Sequence, residues 1–354
     1  ALALDLALVT AVVQSFPRGR DLWDLYYLVV ITGAVWFRRG GAVLVALAAI
    51  ATAIAAPAVL HGEAYDWQML QGSKAPLLLL VTLITAYLVR ARDAEHSQVL
   101  QMSQEMRLAR VLQSRMLPAQ LPSVPGYDIG VIFRPARLVG GDFYDLRLLD
   151  RNHLLIVLAD MAGKSVYGLV HLSLVHSYLQ SAIREGRNPS AIATAVNRGT
   201  YETLQPESYA ALFVGILRLS DGLLTFANCG HVPPLRLRGT TDRNPDVLTT
   251  HGLVIGGLPN ATYEEREVTL APDDLLVCFS DGVSDIRNRR REFYGEQQVA
   301  ASAAQLHGQA AQTIADSLFA EISDFAAQPG EDDVTLLVIR RLGSGGTGKP
   351  AAGS

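Results

Sequence analysis

The sequence predicts an α+β fold, two packed sheets covered by helices, joined through a linker helix to an α-helical transmembrane region. Three observations carry that expectation. The first 89 residues hold long apolar runs, residues 90–117 become charged with a helical stripe, and residues 118–341 set short strand-like runs among helical patterns. A chain of 354 residues has room for two or three such units. Its net charge of −4 gives neither a nucleic-acid footprint nor a polyacidic tail, so no nucleic-acid partner is expected.

Residues 41–60, GAVLVALAAIATAIAAPAVL, carry no charge and match the roughly 20 residues that cross a bilayer. Residues 22–37 and 75–89 are shorter, and Asp24 interrupts the first, so each alone also fits a buried core helix. Their flanks favour spanning. Arg38 and Arg39 follow one run, Arg90 and Arg92 follow the other, and Trp23, Tyr26, Tyr27 and Trp36 suit membrane interfaces. With residues 1–16 as a further span, three or four transmembrane helices occupy residues 1–89. The expectation is a multi-pass cell-membrane protein, lipid around those helices and the remainder in the cytoplasm.

In residues 90–117, Val99, Met102, Met106 and Ala109 recur at alternating spacings of three and four, the stripe of a helix. Its place between membrane and catalytic unit suits a signalling linker that pairs in a homodimer. Pro118, Pro122, Pro125 and Gly126 end it. Strands follow at 127–133, 153–159, 211–219, 223–229, 274–280 and 334–340, most of them continuous apolar runs of the kind buried on both faces. Helical patterns occupy 165–186, 190–204, 295–306 and 309–327. The tail, residues 342–354, is low in complexity and expected to be disordered. Cys229 and Cys278 lie in apolar runs, as buried thiols do, and no Cys/His zinc spacing exists.

The chemistry-bearing residues are aspartates at strand ends. The stretch LVGGDFYDL sets Gly140 and Gly141 before Asp142 and Asp145; Asp160 follows one strand, Asp281 another, and Asp332 and Asp333 precede a third. Each alone reads as a turn residue. Together they suggest carboxylates converging on one edge of the sandwich, where mutual repulsion would raise their pKa values unless a cation intervened. Oxygen ligands alone favour Mg²⁺ or Mn²⁺ over zinc. Two such ions can bind a phosphate, acidify a water and stabilise the leaving oxygen.

VGGDFYD (139–145), ADMAGKS (159–165), NCGHVPP (228–234), FSDGVSD (279–285) and GEDDVTLLV (330–338) resemble, in order, the motifs of the metal-dependent PPM protein serine/threonine phosphatases. The bacterial branch typified by SpoIIE and RsbU is the nearest in pattern, and VLQSRMLP (111–118) resembles the helix that leads into its domain. The resemblance implies an α/β/β/α sandwich that hydrolyses phosphoserine or phosphothreonine with two Mn²⁺ or Mg²⁺ ions. It implies that Asp160 bridges both ions, that the Met161 backbone carbonyl binds one, and that Asp281 and Asp332 hold the second. Asp142 would serve the first site, partly through water. Asp333, Gly141, Gly163, Lys164 and His231 are supporting candidates. A phosphorylated anti-sigma-factor antagonist is the implied substrate. Ser165 departs from the branch, which has a second glycine there; as a good helix N-cap it is compatible with the helix that follows.

Other readings of the residues are weaker. GKS at 163–165 lacks the glycine a P-loop requires at 158, which is Leu. Neither cysteine is followed six residues later by arginine, as a cysteine phosphatase requires: those positions are Leu235 and Ser284. His231 either assists the substrate or braces the turn into Pro233 and Pro234, and Lys164 either contacts phosphate or is solvated. A silent membrane scaffold that binds the phosphorylated partner, and a metal phosphodiesterase, remain as alternatives to the phosphatase.

Overall fold

The computed structural model describes residues 102–343 apart from 137–138, 162–165, 187, 204–208, 240–243 and 329–331, together with five single positions before residue 92. The expected transmembrane region 1–89 lies outside the described residues but for four of those single positions, as does the tail 342–354 but for Leu342 and Gly343. Among the described residues no helix is long and apolar enough to cross a membrane. The chain divides into two compact units, Ala1–Gln104 and Glu105–Ser354. Residues 105–116, the final turns of the expected linker helix, therefore belong to the unit that holds the sheets.

Helix α1 (102–116) leads into that unit. There follow β1 (Tyr127–Arg134), β2 (Asp142–Leu148), β3 (His153–Met161), α2 (Val166–Glu185), α3 (Pro189–Thr203), β4 (Ala210–Arg218) and β5 (Leu223–Cys229). The chain continues through β6 (Leu235–Leu237), β7 (Asp246–Val247), β8 (Arg266–Thr269), β9 (Leu275–Phe279), α4 (Asp281–Ser284), α5 (Gly295–Gln305), α6 (Ala311–Phe325) and β10 (Val334–Arg341). One sheet has the order β1-β10-β9-β6-β7 and the other β2-β3-β4-β5-β8, both antiparallel along their paired strands.

Three apolar clusters make this a four-layer α/β/β/α sandwich. Between the sheets lie Leu146, Leu154, Ile156, Leu158, Phe213 and Phe226 from one, with Leu276, Cys278, Leu337 and Ile339 from the other. On the outer face of the β2–β5 sheet, Phe143, Leu155, Val157 and Val214 meet Leu172, Leu179, Ile192 and Val196 of α2 and α3. On the other outer face, Val277, Phe279, Leu336 and Val338 meet Val299, Ile314, Leu318 and Ile322 of α5 and α6. Burial on both sides is why β3 and β10 read as unbroken apolar runs. Each fully buried Leu, Ile or Phe contributes roughly 1.5–3 kcal/mol relative to exposure, so these layers are the main source of stability.

Alternation along the strands fixes what reaches the cleft. Even-numbered residues of β2 and β3 (Leu146, Leu154, Ile156, Leu158) face the opposite sheet and odd-numbered ones face the helices. By that register Asp142 and Asp160 point between the sheets, whereas Asp145 points to α2, where Gln180 Nε2 donates to it (3.3 Å) and Arg147 pairs with it (3.3 Å). The two carboxylates of GGDFYD are therefore separated onto opposite faces.

Candidate active site

Asp142 begins β2 and Asp160 nearly ends β3, and the antiparallel register sets them directly opposite each other. Like charges so placed destabilise a sheet. Asp142 is only 2 % exposed. Burial foremost, and then the Asp160 carboxylate, hold its carboxyl well above the usual range, against the lowering effect of hydrogen bonds from Thr335 and Ser280. Thr335 Oγ1 donates to Asp142 Oδ2 at 2.5 Å. Thr335 lies in β10 of the facing sheet, so the bond crosses the cleft at the sandwich's end.

Glycine lets the two strand ends close. A Cβ on Gly141 would stand 2.7 Å from the Met161 carbonyl oxygen and 3.2 Å from Asp160 Oδ1, a space that only hydrogen leaves free. The backbone closes the same junction, Met161 N–H donating to the Gly141 carbonyl (3.1 Å). Gly282, directly after Asp281, does the same on the facing sheet: a Cβ there would be 2.9 Å from the Asp333 carbonyl carbon and 3.2 Å from Asp332 Cβ. The Asp-Gly pair thus packs the loop bearing Asp281 against the segment bearing Asp332.

Asp333 ties the two sheets. Its Oδ1 accepts from Ala136 N–H (2.7 Å) and its Oδ2 from Gly141 N–H (2.6 Å) and Asp142 N–H (3.3 Å). Those bonds occupy the carboxylate with backbone, which is a positioning arrangement rather than a ligand's. Asp332 Oδ1 in turn accepts from Asp333 N–H at 2.8 Å. Ser280 Oγ donates to the Asp333 carbonyl (3.2 Å) and accepts from Thr335 N–H (3.0 Å), locking the end of β9 to the start of β10.

Of the supporting candidates, Gly163 and Lys164 lie outside the described residues. His231 is buried with its bonds turned to its own loop: its N–H donates to Asn228 Oδ1 (2.8 Å), its carbonyl accepts from Asn228 Nδ2 (2.9 Å), and Nδ1 meets the Val232 carbonyl (2.9 Å). It braces the turn into Pro233, the second of its two sequence readings. Thr335 and Ser280, which hold Asp142 and Asp333, were not singled out from sequence; their signal was their place inside FSD and DDVT. Gln113, buried on α1 and bonded to Gly140 and Asp142, was missed too, although it lies inside VLQSRMLP, because a helical stretch does not show which strand edge its one amide reaches.

Among the described residues, no group of three or more His, Cys, Asp or Glu side chains is arranged to hold a metal ion. The fit to divalent cations rests instead on the Asp142–Asp160 pair and the cradle at Gly141. Two opposed carboxylates raise each other's cost, and a carbonyl oxygen opens beside them where a side chain would block it. A hard cation exchanges that repulsion for attraction, and the donors are all oxygen, as Mg²⁺ and Mn²⁺ prefer.

Residues 150–342 match the family model of stage II sporulation protein E (SpoIIE). The chain is 29 % identical over 222 residues to protein IcfG of Synechocystis sp., covering 55 % of this chain and 35 % of that protein. It is 27 % identical over 244 residues to the phosphoserine phosphatase RsbU of Bacillus subtilis, covering 67 % of this chain and 70 % of RsbU. The SiaA PP2C domain of Pseudomonas aeruginosa shares the fold, with a TM-score of 0.60 at 22 % identity over 69 % of this chain and 98 % of that domain.

Proposed function

The chain belongs to the SpoIIE family of PP2C-type protein phosphatases, and on that premise we propose that it is a membrane-anchored, metal-dependent hydrolase of phosphoserine or phosphothreonine in a protein substrate. The observation that carries the reading is the Asp142–Asp160 pair, set directly opposite each other, with the Asp142 carboxyl buried and held above the usual carboxylate range by that burial and by the Asp160 charge.

Asp160, the Met161 backbone carbonyl and Asp142 would hold one Mn²⁺ or Mg²⁺ ion, and Asp160 with Asp281 and Asp332 would hold the second. Bound there, the ions supply positive charge for the phosphoryl oxygens and make water acidic enough to attack phosphorus. The chain's own residues orient and exclude. Thr335 fixes one oxygen of Asp142 from the facing sheet. Asp333 holds the Gly141 and Asp142 amides, so the ligand does not swing with its loop. Neither cysteine can serve as the nucleophile: Cys229 lies under the helices and Cys278 between the sheets, their thiols pushed far up by burial.

The kinship with RsbU, itself a phosphoserine phosphatase, supports a phosphorylated anti-sigma-factor antagonist as substrate. The apolar runs in residues 1–89 support anchoring, with the catalytic unit in the cytoplasm and α1 pairing in a homodimer.

The test is hydrolysis of a phosphoserine peptide with Mn²⁺, Mg²⁺ or chelator, beside Asp160→Asn and Asp281→Asn. Turnover should require metal and fall in both variants by more than the roughly 10–100-fold that outer-sphere partners typically cost. If no metal supports turnover and calorimetry detects no metal binding, the reading is wrong and the silent scaffold takes its place.

A further inference from the structure

Gln113 lies on α1 and is 2 % exposed, an unusual burial for a primary amide on a helix otherwise half open to solvent. Its bonds explain it. Nε2 donates to the Gly140 carbonyl and to the Asp142 carbonyl, each at 3.1 Å, while Oε1 accepts from Gly140 N–H at 3.1 Å. β2 is the outermost strand of its sheet, next to β3 alone, so its far edge presents unpaired backbone. The Gln113 amide pairs with that edge as a neighbouring peptide would, at the residues that carry Asp142 into the cleft. Asp333 grips the Gly141 and Asp142 amides, and Met161 the Gly141 carbonyl. Gln113 completes the set from a helix remote in sequence.

We propose that Gln113 is a positioning residue that couples the seating of α1 to the metal affinity of the site, by fixing the Gly140–Asp142 edge of β2. With α1 seated, the amide holds Asp142 in register with Asp160. With α1 withdrawn, Gly140 and Gly141 lose their partner, and two glycines in succession give that edge little stiffness of its own. Replacing Gln113 alone puts the cost on the ligand's placement rather than on the packing of α1, because the apolar contacts of α1 are made by Met106, Ala109 and Met116. This rests on the reading of Asp142 as a metal ligand.

The experiment compares the full chain with Gln113→Glu, which keeps the shape and loses both donors, and Gln113→Met, which is close to isosteric and loses every bond. Ile322→Ala, which lowers stability from α6 on the opposite outer face of the sandwich, is the control. Three quantities are read: the Mn²⁺ dissociation constant by calorimetry, kcat at saturating Mn²⁺, and amide exchange at residues 139–142 in chelator. Both Gln113 variants should weaken Mn²⁺ binding by about 10–100-fold, the range for groups that orient a ligand. Excess metal should recover most of kcat, and the 139–142 amides should exchange faster with no metal present. Ile322→Ala at equal loss of Tm should shift the dissociation constant less than about threefold. Gln113 variants that bind Mn²⁺ as the parent does, or a control that shifts binding equally, would overturn the inference and leave the phosphatase standing. A parent chain that binds no Mn²⁺ would overturn both.

Discussion

The carboxylate of Asp333 accepts three backbone N–H groups at a junction between the sheets, and its neutral truncation leaves those donors without partners. A buried donor left unsatisfied costs about 1–3 kcal/mol. In chelator, Asp333→Ala should therefore lower unfolding stability by about 3 kcal/mol or more, and Asp333→Asn by less, since its carbonyl oxygen still accepts. Urea titration decides it, and an alanine variant as stable as the parent would remove Asp333 from the framework. His231 gives a second residue-scale prediction. Burial lowers its imidazole to about 4, and the Val232 carbonyl only partly opposes this. The folded chain thus binds this proton more weakly than the unfolded chain, whose histidines titrate near 6.5. Stability from the neutral ring is complete above that value and is lost as pH falls toward about 4, by up to about 3 kcal/mol. His231→Gln should flatten that part of the stability profile; an unchanged slope between pH 6.5 and 4 would show that other groups set it.

Helix α6 shows how one element is held by another. Its N-cap, Ala310, has no side chain to cap with, and the Ala311 N–H is instead accepted by Asp128 Oδ2 of β1 at 2.7 Å. Gln312 pairs with both backbone groups of Val131, and Gly130 has no Cβ to collide with the Ala311 backbone. Asp128→Ala should cost about 1 kcal/mol, as loss of a helix cap does, and Gly130→Ala more, because the helix end must lift from the strand; urea titration of both tests the order. Sequence shows such elements when they carry long apolar runs. β3, β4, β9 and β10 were plain in the string, as were the four longest helices after residue 160, because burial on two faces or one stripe leaves a period. β6, β7 and β8 have two to four residues, too short for any period, and exist only because a neighbouring strand supplies their partners. The site divides likewise. Asp160, Asp281, Asp332 and Asp333 were legible by their position against strands and Asp142 by the glycines before it, although β2 itself was not foreseen; the side each one faces required register. The roles of Thr335, Ser280 and Gln113 depend on partners 27 to 193 residues away, which no local pattern encodes.

On the scale of the molecule, the layers raise the question whether they unfold together. The chain has two cysteines, and the fold distributes them usefully. Cys229 is buried beneath α2 and α3, and Cys278 between the sheets. Both are free, wholly buried, and held far above the usual thiol range by desolvation, so neither reacts while its layer is closed. An aromatic disulfide reagent should therefore label neither in native conditions and both in urea. If the sandwich is one cooperative unit, the two sites label at one rate that follows global unfolding as urea rises. Peptide mapping of the labelled chain reads each site separately. Earlier labelling of Cys229 would mean that the layer of α2 and α3 opens before the sheets part, a sub-global motion of the helices lying nearest β3 and Asp160. Mn²⁺ then provides the decisive arm. If Asp142 and Asp160 of one sheet share it with Asp281 and Asp332 beside the other, bound metal should slow both labelling rates by the same factor, set by its concentration over its dissociation constant. Slowing confined to Cys229 would assign the metal's stabilisation to the β2–β5 sheet and its helices alone, and would count against a site shared with Asp281 and Asp332 across the cleft.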